Sequence, residues 1–308
     1  MKKYILFLIL IISIKTGAFA QQSALFSQYM FNEFVINPAI AGTHDYYQIR
    51  LNNRYQWVGI DNAPITAALS VYGPHNSKPM GWGGYLYTDS QGPTSKMGIY
   101  GAYGYNIVLK NDLNLSMGLN IGLIQYKIDP EKIEFLEDED PTFIAKKYSY
   151  IKPDATVGLY LYSTRLFAGF SADQLFNNKI EVEKDTAYTG NATFSRLKTH
   201  FTLVGGYKFN LNRDFDMEPS MLFRAVTRSP LQVEITVRTI FRKMAWLGVS
   251  FRSSDAVALM LGYNYKDQIY IGYSYDITYS KLRYEGGGSH EIMIGARFNK
   301  IRNSRAKF

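Results

Sequence analysis

Residues 259–279 read LMLGYNYKDQIYIGYSYDITY. Leu259, Leu261, Tyr263 and Tyr265 alternate with Met260, Gly262, Asn264 and Lys266. After a short polar turn, Ile269, Ile271, Tyr273, Tyr275, Ile277 and Tyr279 alternate with Tyr270, Gly272, Ser274, Asp276 and Thr278. Successive side chains of a strand point to opposite faces, so each run has one large apolar face and one small or polar face. A soluble sandwich also alternates, but its turns come every ~8–12 residues and its apolar face looks inward. Here the runs are longer and the polar face carries Gly, Ser, Asn, Thr and charge. That is the pattern of a strand with lipid outside and water inside.

The alternation recurs from Asp45 onward, where Ile49, Leu51, Tyr55 and Trp57 oppose Gln48, Arg50, Asn52, Arg54 and Gln56. Further runs cover 65–71, 82–87, 97–109, 113–128, 155–162, 166–175, 201–209, 215–226, 233–241, 245–252 and 292–298. Together they predict an all-β, transmembrane, antiparallel up-and-down β-barrel of about fourteen strands, an even number as single-chain outer-membrane barrels have. The connections 110–112, 163–165, 210–213, 242–244 and 266–268 are short, and a longer one separates each from the next. With the N-terminus periplasmic, the short turns fall inside and the long loops outside, although 73–79 is long for its side.

Composition agrees with this reading. Among 308 residues, 25 Tyr and 19 Phe stand against 3 Trp, a usage suited to rings that bury an apolar body in lipid and keep a hydroxyl at the headgroups. Lys2 and Lys3 precede an apolar run, and Ala18-Phe19-Ala20 offers small residues for cleavage, so residues 1–20 are expected to be a signal peptide. The run is too short to be a membrane anchor. The formal charge of +8 falls to about +5 without Lys2, Lys3 and Lys15. An exported chain rarely meets nucleic acid, and none is expected as a partner. No Cys is present to form a disulfide or carry a lipid anchor, and no later apolar run is long enough for a spanning helix. A closed barrel remains as the membrane-compatible architecture.

Residues 21–43, QQSALFSQYMFNEFVINPAIAGT, do not alternate. They are expected to lie outside the barrel wall as a periplasmic, plug or docking segment, with Phe26, Gln28, Tyr29, Met30, Phe31, Asn37 and Pro38 as its candidate contact residues. The order Phe26-Ser27-Gln28-Tyr29-Met30-Phe31-Asn32, Asn37-Pro38-Ala39 and Ala41-Gly42 closely resembles the opening of the PorP/SprF family. The resemblance continues through the strands to Ser289-His290-Glu291-Ile292-Met293-Ile294-Gly295. It implies an outer-membrane protein of the type IX secretion system of Bacteroidetes. It further implies association with export or surface attachment of large secreted proteins, gliding adhesins among them, through a C-terminal targeting domain. Periplasmic and outer-membrane components of that system would be further partners, beside outer-membrane lipid.

The barrel is expected over 44–299 and a basic periplasmic tail over 300–308, with Phe298 or Phe308 as the terminal aromatic assembly signal. Arg50, Arg54, Lys208, Glu218, Arg224, Glu234, Arg238, Arg252, Lys266 and Arg297 fall on the inward phase. A charge at mid-bilayer on the lipid face would cost ~2–4 kcal/mol. These residues are read as lumen-lining, either in an ion-paired closed interior or in an anion-selecting channel.

Asp129-Pro-Glu-Lys-Ile-Glu-Phe-Leu-Glu-Asp-Glu-Asp-Pro141 reads as a solvated acidic loop, with a cation or partner site as the sharper alternative; its spacing matches no calcium loop. His44, His75, His200 and His290 lie far apart, and without Cys or HExxH no metal or cofactor is expected. No nucleophile elbow, P-loop or dinucleotide motif occurs, so an enzyme is not expected; His200 with a lumenal Ser and Asp would be the minor exception. A passive porin or hydrophobic-solute channel is the alternative function, with the opening segment as a hatch.

Overall fold

The computed structural model describes residues 26–110, 112–129, 147–181, 194–227, 229–253, 255–280 and 284–301. The expected signal peptide, most of the acidic loop and most of the basic tail, including Phe308, lie outside these residues.

The strands are β1 (Tyr47–Tyr55), β2 (Ile65–Pro74), β3 (Met80–Gln91), β4 (Thr94–Lys110), β5 (Leu113–Ile128), β6 (Tyr148–Tyr162) and β7 (Leu166–Asp173). A small hairpin, β8 (Lys179–Glu181) with β9 (Phe194–Arg196), stands in the next connection. Then follow β10 (His200–Tyr207), β11 (Phe209–Asn210), β12 (Phe215–Val226), β13 (Gln232–Phe241), β14 (Ala245–Arg252), β15 (Ala256–Tyr265), β16 (Ile269–Thr278) and β17 (Ser289–Phe298). One sheet of 15 strands contains all but the small hairpin, and β11 is a two-residue extension of β10, which leaves a wall of fourteen. All pairings are antiparallel. The ring closes where β1 pairs with β17, from Tyr47 against Phe298 to Tyr55 against His290, and where β10 bridges β7 and β12. Closure pairs every edge, the condition for a sheet in lipid.

The hydrophobicity is inverted, as the alternation requires. In β16, Ile269, Ile271 and Ile277 are exposed on the outside while Tyr270, Gly272, Ser274, Asp276 and Thr278 are buried inside. Toward the end where β1 starts, the outer surface carries Tyr105, Tyr207, Phe209, Phe215, Phe241, Tyr263, Tyr265 and Phe298; toward the other it carries Tyr55, Phe170, Phe201, Phe251 and Tyr279. Two aromatic girdles flanking an aliphatic band mark the bilayer interfaces.

The turns at 163–165, 211–214, 242–244 and 266–268 share the end where β1 begins and β17 finishes. Arg242 and Lys243, like Lys266 and Asp267, have positive φ at both central positions, the turn geometry that matches strand twist. Lys266 therefore lies in a turn over the Tyr265 ring and not on the lumen wall, a correction to the phase reading. The opposite end differs from expectation too. Its connections are long at 56–64 and 279–288, but β3 joins β4 through Gly92 and Pro93 alone and β14 joins β15 through residues 253–255. The strands β3, β4 and β6 run past the limits read from sequence because above the lipid both faces are wet, and no apolar alternation marks their continuation.

Candidate functional site: the filled lumen

The opening segment lies inside the ring. It folds as three single 3-10 turns, Tyr29–Phe31, Glu33–Val35 and Pro38–Ile40. Pro38 suits the first position of the third turn, where its missing N–H is no loss, and the Asn37 side chain caps that turn by accepting from the Ala39 amide at 3.0 Å. Such short turns leave most backbone groups unpaired locally. The barrel wall supplies their partners.

At the end of the lumen near the long loops, Ser27 is the hub of a buried ion network. Its hydroxyl donates to Asp276 at 2.8 Å and accepts from Arg54 Nη1 at 2.7 Å and Arg252 Nη2 at 2.9 Å. Its amide donates to Glu291 Oε2 at 2.6 Å, and the Gln28 amide donates to Glu291 Oε1 at 3.2 Å. Arg54 pairs with Asp276 at 2.7 Å and faces Glu291 at 3.5 Å; Arg252 pairs with Glu234 at 3.0 Å, Asp255 at 3.0 Å and Asp276 at 3.2 Å. Two guanidinium groups thus serve four carboxylates, and removing one partner would leave a buried charge uncompensated, typically at ~3–5 kcal/mol.

Below the network, Phe31 stacks on Trp246 at 4.3 Å with the Arg238 guanidinium 4.7 Å above its ring, and Arg238 pairs with Glu218 at 2.6 Å. Tyr29 shares a hydrogen bond with Ser220 at 3.0 Å. Asn32 donates to Asn52 at 2.9 Å and accepts from Ser70 at 2.8 Å. Phe34 stacks on Tyr72 at 4.3 Å, and Met30 packs between the two apolar clusters that these rings form. Asn37 donates to the Leu159 carbonyl at 2.9 Å. Near the short-turn end, Asn106 donates to the Gly42 carbonyl at 3.1 Å. Arg50 is held by Gln48 and lies 4.7 Å over Tyr270; Arg297 binds Asp267 at 2.6 Å and lies over Tyr46 and Tyr270.

Glycines on the wall admit the plug backbone. A Cβ on Gly81 would strike Gly42, one on Gly104 the Ala41 carbonyl, one on Gly118 Pro38 and Ala39, and one on Gly158 the Asn37 amide. These four positions lie on the adjacent strands β3, β4, β5 and β6, so they form a track beneath residues 37–42.

Phe26 lies apart from the ion network. With Val35 and Ile36 it floors a cavity of about 90 Å³ whose walls include Tyr85, Tyr87, Lys96, Tyr100, Asp154, Asp173, Thr202 and Arg224. The structure therefore brings Phe26, Gln28, Tyr29, Met30, Phe31, Asn37 and Pro38 together as lumen contacts, and buries Arg50, Arg54, Arg224 and Arg252 among them. Ser27, Asn32, Phe34, Asp154, Asp276 and Glu291 were not among the contact or lumen residues chosen from the sequence. The signal for Asp154, Asp276 and Glu291 was an acidic residue within a strand that faces lipid on its other side. For Ser27 and Asn32 only the opening motif itself could have pointed the way.

No curated protein matches the sequence. By structure, the chain is similar to a FadL homologue of Pseudomonas aeruginosa, with TM-score 0.50 and 12% identity over 85% of this chain and 91% of that one. It is also similar to the toluene transporter TbuX of Ralstonia pickettii, with TM-score 0.52 and 10% identity over 92% of this chain and 96% of that one. At such identities the likeness is one of fold, an outer-membrane barrel. The sequence profile described as type IX secretion system membrane protein PorP/SprF matches residues 18–296, nearly the whole barrel with its opening segment. The chain therefore belongs to the PorP/SprF family of type IX secretion system membrane proteins.

Proposed function

We propose that this outer-membrane component of type IX secretion binds an exported, adhesin-like protein and supports its export and surface attachment through that protein's C-terminal targeting domain. The family match over 18–296 carries this reading. The filled lumen supports it, because a segment with this many buried bonds to the wall leaves an assembly and docking scaffold more to do than a passive pore. The solved toluene transporter of similar fold makes a solute channel the competing reading. In the native host, the gene would be deleted and restored, and a reporter carrying the targeting domain followed by whole-cell immunolabelling. Display should vanish on deletion and return with the gene. Display that persists in the deletion strain, with altered uptake of small solutes, would sink the secretion reading in favour of the channel.

A further inference from the structure

Tyr85, Tyr100, Gly122 and Asp154 are direct cross-strand neighbours on β3, β4, β5 and β6, so they form one row across the wall. Gly122 has no side chain, and the Tyr100 ring lies over it, where a Cβ would collide. This lets the Tyr100 hydroxyl donate to Asp154 Oδ2 at 2.9 Å while its ring stacks on Tyr85 at 4.6 Å. Asp154 is 2% exposed, yet its Oδ1 receives no hydrogen bond; the Thr202 hydroxyl, which also lines the cavity and is also 2% exposed, has no partner either. A buried carboxylate oxygen without a donor is costly unless something supplies one.

The charges around the cavity say what is missing. Lys96 sits directly opposite Asp89 in the β3–β4 pair, and Arg224 has the carboxylates of Asp173 and Glu234 near it. Asp154 has no ion-pair partner among the described residues. Size narrows the choice. A cavity of ~150 Å³ holds benzene, so about 90 Å³ suits a head of a few heavy atoms and excludes a sugar ring or fatty chain. Aromatic walls favour a cation over a neutral group. Lys96, Asp173, Gln174, Thr202 and Arg224 lie at the strand ends nearest the long loops, so the opening faces outward.

We propose that this cavity is a binding site for the guanidinium or ammonium end of a basic side chain that a partner polypeptide inserts from the outer side. The partner's being an exported protein rests on the function proposed above; the site itself stands on the cavity.

The purified full-length barrel in detergent would be titrated calorimetrically with methylguanidinium and methylammonium, and with N-methylurea as a neutral control of the same shape. The cations should bind and N-methylurea should not. Asp154→Asn should weaken cation binding at least tenfold, whereas Asp61→Asn, in an exposed loop, should leave it unchanged. Thr202→Tyr, on β10 two strands from Asp154, fills the cavity while leaving the Asp154 carboxylate in place and should abolish binding, which covers the case of a poorly folding Asp154 variant. Equal binding of N-methylurea, no binding of either cation, or full affinity in a folded Asp154→Asn barrel would each overturn the site. None of these outcomes touches the secretion reading, which the display of the targeting-domain reporter decides.

Discussion

Ser27 contributes one hydroxyl and one amide, yet it joins the plug to four strands at once, β1, β14, β16 and β17. Hydrogen bonds to charged groups are worth ~1.5–3 kcal/mol each, and the guanidinium groups it satisfies have little water to replace it. Ser27→Ala should therefore loosen the plug by at least about 2 kcal/mol, read as faster hydrogen exchange of amides 28–41 while strand amides keep their protection. Glu33, in the plug and outside the membrane-spanning strands, adds a pH term. Burial and the nearby Glu218 push its carboxyl up to about 7, against the Tyr160 hydrogen bond and the charges of Arg238 and Arg50. Because the docked value lies above the free value of ~4.3, the protonated acid is the form that docks well. Its contribution is complete below the free value and is lost as pH rises through about 7. Plug protection should fall between pH 5 and 8, about as the carboxyl titrates. Glu33→Gln should remove that dependence; an unchanged pH profile in the variant would assign it to another group.

At the scale of elements, the glycine track on β3 to β6 separates barrel stability from plug docking. Gly118→Leu puts a side chain where Pro38 and Ala39 now lie, and overpacking of this kind costs ~1–3 kcal/mol. The strand pairing of β5 involves backbone alone at that position, so a heat-resistant barrel should persist while its conductance in planar bilayers rises. Leu119 next door faces lipid, and Leu119→Arg should cost ~2–4 kcal/mol of barrel stability. Asn120→Arg should fail as well, for a different reason, since Asn120 is buried and donates to Tyr85 at 3.1 Å. What was legible in the sequence follows the same division. Lipid forces strict alternation, so the wall of fourteen strands and its inward phase could be read from residues such as Leu259 to Tyr279. Strand ends above the lipid could not, because nothing forces alternation there. The opening segment announced itself by failing to alternate, but three short turns have no periodicity from which their wall contacts could be inferred. Asp154 and its cavity depend on Gly122 making room for Tyr100, a relation between positions far apart in the chain.

At the scale of the whole molecule, an even strand count returns β17 to the end where β1 begins; that end carries the turns at 163–165, 211–214, 242–244 and 266–268, while the long connections 56–64 and 279–288 stand at the other. Outer-membrane barrels keep such turns on the periplasmic side. The plug then has a direction. Ser27 and Gln28 bond to Asp276 and Glu291 beside the long loops, while Gly42 accepts from Asn106 close to the opposite end of β4. From Ser27 to Gly42 the segment runs inward from the outer mouth toward the start of β1. The chain has no Cys, which makes single-cysteine labelling clean. With a membrane-impermeant maleimide on intact cells, Asp61→Cys, in the connection 56–64, should label. Asp267→Cys, in a periplasmic turn, should label only after permeabilisation. Reversed labelling of Asp61→Cys and Asp267→Cys would invert the barrel in the membrane.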